Sequence, residues 1–189
     1  MTRFSQRTAL TSATFALAAG ITMPAAAQKN PMVGGAPMYA SKTIVENAVN
    51  SKDHSTLVAA VKAADLVGAL SGPGPFTVFA PTNAAFAKLP PGTVEQLTQP
   101  MMKPQLTAIL TYHVVPGRMT SADLMRAIKQ GGGEAELKTV QGGTPTAIPG
   151  RSGKSMFLTN AKGNTVRVTT ANVMQSNGVI HVVDGVLMP

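Results

Sequence analysis

The chain has 189 residues, a formal charge of +8, eight acidic residues, no cysteine and no tryptophan. The absence of cysteine excludes disulfides, thiol nucleophiles and thiolate metal sites. Despite the positive charge, two tyrosines, six phenylalanines and no tryptophan leave little to stack on bases, so no nucleic-acid partner is expected.

Residues 1–27 read as a secretory signal peptide. Arg3 and Arg7 give a positive start, and Ala9–Ala19 is an apolar run diluted by Thr11, Ser12 and Thr14. It falls short of the ~20 residues of a membrane span. Pro24 breaks it, and Ala25-Ala26-Ala27 supplies the small residues a signal peptidase accepts. The two arginines are separated, so a Sec-type route is expected, with a secreted or periplasmic product. No cysteine is present to carry a lipid, and no later run is apolar enough to be an integral membrane segment.

Residues 28–42, with Pro31, Gly34, Gly35 and Pro37, are expected to form a flexible N-terminal arm, and 43–189 a single domain. Ser41 or Thr43 can cap a short helix through Val49. Ser55 opens a longer one, with Leu57, Val58, Val61 and Ala64 at helical spacing, ended by Gly72-Pro73-Gly74-Pro75. His54, at its start, reads as solvated. Phe76–Ala80 is a strand between prolines, and Thr82 or Asn83 caps a brief helix. Thr93 and Gln96 have capping-box spacing. Pro104 suits a first helical turn, and Leu106, Ile109, Leu110 and His113 then share one apolar face. Ser121 caps a helix that Gly131-Gly132-Gly133 stops.

Beyond it the pattern shifts to strands: Ala135–Val140, Thr144–Ile148, Met156–Thr159, Thr165–Thr170 and Val179–Val183, with Asn177-Gly178 as a turn. Val179, His181 and Val183 fall on one face and Ile180 and Val182 on the other, so both faces of the closing strand are expected to be covered. Helices first and strands later imply an α+β domain. Between Glu136 and Asp184 lie Lys138, Arg151, Lys154, Lys162 and Arg167 with no acid among them. They form a candidate basic surface for anionic sugars, lipid headgroups or a cell surface, or else are solvated strand and turn positions.

Three segments carry a family resemblance: Gly74–Phe86 (GPFTVFAPTNAAF), Leu110–Gly117 (LTYHVVPG) and Asn177–Pro189 (NGVIHVVDGVLMP). In that order they resemble the first conserved motif, the Tyr-His motif and the second conserved motif of the fasciclin (FAS1) domain family. The kind is the single-domain secreted bacterial one, related to the repeats of periostin and the TGF-β-induced protein. The resemblance implies a wedge-shaped β-sandwich with helices packed on one side. It also implies a non-catalytic role in cell adhesion or cell-surface and extracellular-matrix interaction, with Tyr112 and His113 matching the motif linked to adhesion.

The residues themselves favour a structural role for His113, whose imidazole shares the apolar face of its helix and must find a partner there. His181 and Asp184 diverge, being three apart on a strand, and Asp184 is read as bracing the turn at Gly185. There is no Gly-x-Ser-x-Gly elbow, no His-Glu-x-x-His, and Ile148 stands where a phosphate loop ending in Lys154-Ser155 needs glycine. Glu134 and Glu136 read as solvent-facing, and the three histidines are scattered. No catalytic residue, metal site or cofactor is therefore expected. The expected partner is a cell-surface or matrix protein or glycan. The alternative is a periplasmic carrier of a small apolar ligand, in which Met101, Met102 and Met156 line an adaptable pocket.

Overall fold

A computed structural model describes residues 30–151 and 155–189, so the expected signal peptide lies outside the described residues. The chain opens with a hairpin, β1 (Met32–Val33) and β2 (Ala36–Pro37). Three helices follow, α1 (Ile44–Asn50), α2 (Ser55–Ala63) and α3 (Val67–Ser71), then β3 (Phe76–Pro81). Next come α4 (Asn83–Ala87), α5 (Thr93–Leu97), α6 (Lys103–Tyr112), β4 (Val114–Pro116) and α7 (Ser121–Gln130). The strands β5 (Ala135–Glu136), β6 (Thr146–Pro149), β7 (Met156–Thr159), β8 (Thr165–Gln175) and β9 (Gly178–Val183) complete it.

Local chemistry sets most helix starts. Thr43 and Thr120 each accept a hydrogen bond from the backbone N–H three residues on, while Glu46 and Asp123 bond back to close capping boxes. Thr82 caps α4. The α7 cap is thus Thr120, one residue before the expected Ser121. The capping box read at Thr93 and Gln96 does not form; α5 starts after Gly92, whose φ of 82° suits glycine. The single helix expected from Ser55 to the Gly-Pro run is two helices, because Asp65 adopts a left-handed φ of 59° between α2 and α3.

β3 to β9 form one seven-stranded sheet in the order β4-β3-β9-β8-β7-β6-β5. β3 and β9 run parallel and the other neighbours antiparallel. β8 continues five residues past the expected Thr170, to Gln175, through two register shifts and Asn172 at φ 60°. Such irregularities bend a strand and raise its twist, so one sheet curls into both layers. Of the strand expected over Ala135–Val140, only Ala135 and Glu136 keep ladder pairing.

Two apolar cores result. In the first, Val78, Ala80, Ile180 and Val182 of β3 and β9 meet Ile44, Leu57, Val61, Phe86, Leu97, Leu106 and Leu110 from the helical layer. In the second, Phe79 and Val183 meet Leu158, Val166 and Val168, and Leu124 and Ile128 of α7 close it. The helices α1–α6 therefore share one side, as expected, and α7 packs on the other. The hairpin is no free arm: Val33 and Met38 belong to the first core.

Candidate functional site

Tyr112 and His113 end α6, and both are buried. His113 is the C-cap residue, so its own N–H bonds to Leu110 and leaves the Ile109 carbonyl free. Nδ1 reaches that carbonyl at 2.8 Å, and Nε2 accepts the Leu187 N–H at 3.0 Å. Only the neutral tautomer protonated at Nδ1 serves both bonds. Burial drives the imidazole pKa down to about 4, against a smaller upward pull from the Ile109 carbonyl. The Tyr112 ring lies in the second core, so close to Gly143 that a Cβ there would collide with it, and burial raises its pKa. Chain neighbours thus serve opposite cores, and neither presents a face to solvent.

His181 is also engaged on both ring nitrogens. Nε2 donates to Met119 O at 2.8 Å, Nδ1 accepts the Asn172 N–H at 3.4 Å, and the ring stacks on Phe79 with centroids 5.5 Å apart. Asp184 turns away from it, accepting the Arg167 N–H at 2.9 Å and meeting Lys88 Nζ at 3.7 Å. It braces β8 rather than the Gly185 turn. His54 is the plain correction: it is 3% exposed, not solvated. Ser51 Oγ pairs with Nδ1 at 2.8 Å, while Nε2 has no hydrogen-bond partner. Burial lowers its pKa, opposed by the Asp53 charge and by the Ala80 backbone, which stands near without reaching hydrogen-bond geometry. Among the described residues no group of three or more His, Asp or Glu is arranged to hold a metal.

Of the basic residues, Lys138, Arg151, Lys162 and Arg167 are exposed, and Lys154 lies outside the described residues. Arg167 stands on the outer face of β8 opposite Phe157. Arg151 and Lys162 occupy turns at opposite ends of β7, a four-residue strand about 13 Å long. They border one sheet face rather than converging on a point. Lys162 Nζ donates to Pro189 O at 2.7 Å, and among the described residues none of the four is in a salt bridge.

Two concavities have no counterpart in the sequence reading. One is an apolar crevice between α1, α2 and α3, walled by Val45, Val58, Val61, Val67 and Leu70, with His113 among its lining residues and exposed Lys62 at its rim. It encloses about 40 Å³, and a void of about 10 Å³ lies beyond Ala48, Ala80 and Ile180, beside His54. The methionines expected to line such a pocket do not: Met156 belongs to the second core, and Met101 is 90% exposed. The other is an open polar cleft of about 450 Å³ where residues 71–75 face Ser176, Asn177 and Arg118. Arg118 follows a Pro-Gly turn as a lone cation, and no spacing pattern marks it.

The family model described as "Fasciclin domain" matches residues 52–189. Protein sll1483 of Synechocystis sp. is 49% identical over 162 residues, 86% of this chain and 82% of that protein. The cell surface glycolipoprotein MPB83 of Mycobacterium bovis is 32% identical over 169 residues, covering 87% of this chain and 68% of its own. Among solved structures, the FAS1 domain pair from the insect cell adhesion molecule fasciclin I superposes with a TM-score of 0.69 at 19% identity. That likeness covers 78% of this chain and 51% of the insect chain.

Proposed function

This chain belongs to the fasciclin domain family, and we propose from that membership that it is an exported, non-catalytic module for cell adhesion or cell-surface and matrix attachment. The observation that carries the reading is the family match over 52–189, joined by the likeness to a cell surface glycolipoprotein. The buried Tyr112 and His113 support the frame of the domain in this reading, and the contact surface lies elsewhere. The outer sheet face bordered by Arg151, Lys162 and Arg167 suits an anionic partner, since all three cations are exposed and, among the described residues, only Lys162 has a polar partner, Pro189 O. Replacing all three with Glu is expected to cut attachment to intact cells several-fold and to flatten its dependence on salt. Attachment that ignores both the triple variant and salt removes this face from the mechanism.

The apolar crevice favours a second reading, a periplasmic carrier of a small apolar ligand. Its lining is apolar apart from Lys62 and His113, with Phe79 the one aromatic ring. At about 40 Å³ its helices would have to part to admit a ligand, since sites that bury one are several hundred Å³. Native mass spectrometry of protein purified from its own host tests it: a co-purifying lipid supports the carrier, and a bare mass opposes it.

A further inference from the structure

The polar cleft beside Arg118 is held rigid from behind. Asn177 Nδ2 donates to the carbonyls of Leu70 and Gly72, at 2.8 and 3.1 Å, and its Oδ1 accepts the Ile44 N–H at 3.0 Å. One side chain thus ties the end of α3 and the start of α1 to the β8–β9 turn. Gly74 and Gly178 leave no room for a Cβ, against the carbonyls of Asn177 and Phe76 respectively. The first and third family-like segments therefore meet in backbone contact at this wall.

Arg118 is fixed in the same way. Its Nη2 donates to the carbonyls of Gln175 and Ser176, at 3.2 and 3.1 Å. Those two bonds use both hydrogens of that nitrogen and leave Nη1 and Nε as donors. The residue is exposed, no salt bridge reaches it among the described residues, and no acid lines the cleft. Exposed Ser71 and Ser176 add hydroxyls, and the exposed rings of Pro73 and Pro75 add apolar patches. A volume of about 450 Å³ is of the size of ordinary small-ligand sites.

We propose that this cleft binds an anionic sugar unit of a surface polysaccharide, its carboxylate or sulfate on Arg118 and its ring hydroxyls on Ser71 and Ser176. The charge requirement follows from a fixed guanidinium with no acid beside it. The sugar requirement follows from hydroxyl donors, small apolar patches and an open rim from which a polymer continues. A peptide strand finds little here, because the Phe76 N–H is already bonded to Asn177 O. The proposal rests on the attachment reading and names a partner and a second contact for it.

The test is an NMR titration of the purified protein with trigalacturonate, its methyl ester, a sulfated galactose trimer and a short peptide with a free terminal carboxylate. The acid or the sulfated probe is expected to shift the Gly72 and Ser176 amides saturably, and which of the two binds tighter identifies the anion. The ester and the peptide are expected not to saturate. Arg118→Gln is expected to weaken the preferred probe about tenfold, the scale of one charged hydrogen bond, while Lys129→Gln, at an exposed position in the last turn of α7, changes nothing. Ser176→Asp, which sets an acid beside the guanidinium while keeping Arg118 and its bond to the residue 176 carbonyl, is expected to weaken it likewise and stands in should Arg118→Gln disturb the fold. The proposal is overturned by an absence of saturable binding, by an ester or peptide that binds as well as the charged sugar, or by folded Arg118→Gln and Ser176→Asp variants that bind like the wild type. Cell attachment measured on the same variants separates the two ideas. Wild-type attachment without probe binding sinks the cleft alone, and probe binding without attachment sinks the attachment reading alone.

Discussion

The two cores of this molecule are packed differently. The first, under helices of five to ten residues, encloses voids of about 40 and 10 Å³ and a histidine nitrogen with no partner. The second holds Phe79, Leu124, Ala147, Leu158, Val183 and Leu187 without exposure, and beside it His181 is bonded at both nitrogens. The difference is geometric. Strands in register bring side chains together at fixed spacing, whereas short helices joined at odd angles meet by ridges that do not fully interlock. Slack belongs to the helical half, and tight specification belongs to the curled sheet.

The largest test concerns the residue that joins the halves. His113 lines the crevice of the helical core, and its Nε2 bonds the backbone of Leu187 in the other core. His113→Ala strands the Ile109 carbonyl and the Leu187 N–H and removes a buried ring. It should cost about 3–5 kcal/mol in denaturant unfolding. His54→Ala, which gives up one bond and one orphaned nitrogen, should cost about 1 kcal/mol or less. Equal losses from the two would break the comparison.

Acid should find the same residue. Burial holds the His113 pKa near 4 in the folded chain against an ordinary 6.5, so the unfolded chain binds the proton more readily. Stability is then full above pH 6.5 and declines as pH falls toward 4, by about 3 kcal/mol at 1.36 kcal/mol per unit. His54 and His181 are shifted in the same direction, chiefly by burial, and steepen the decline. Unfolding curves collected between pH 7 and 4 measure it, and a flat profile contradicts it.

The smallest effect separates the cores most directly. Val61→Ile adds a methylene beside the larger void and should raise stability by up to about 0.8 kcal/mol. Val183→Ile adds the same group at an unexposed position of β9 in the second core and should cost about 1–3 kcal/mol. Thermal melts of the pair suffice, and matching signs would mean that the two cores are equally tight.

Much of the frame was legible in the residues. Turn signals bounded β7, and the two-residue period predicted both covered faces of β9, because a strand's period sorts its faces locally. The burial of Leu106, Ile109, Leu110 and His113 followed from helical spacing in the same way. Events set by distant residues were illegible. His54 lies among polar neighbours in the chain, yet it is buried beside Val33 and Met38 from the N-terminal hairpin. The Asn-Gly pair read as a turn, but the two-residue loop is Ser176–Asn177, and Gly178 is in the strand because the Phe76 carbonyl passes against it.

By itself the sequence determined the α+β class, the helices-first order beyond the N-terminal hairpin, the family and most of the residues that fill the cores. These depend on short-range periodicity and on motifs contiguous in the chain. Tertiary structure alone decided that Tyr112 and His113 face opposite cores, that the basic residues border a sheet face without converging, and that Arg118 stands fixed over an open cleft. Those outcomes depend on which remote backbone carbonyls a side chain meets, and no spacing in the chain encodes that.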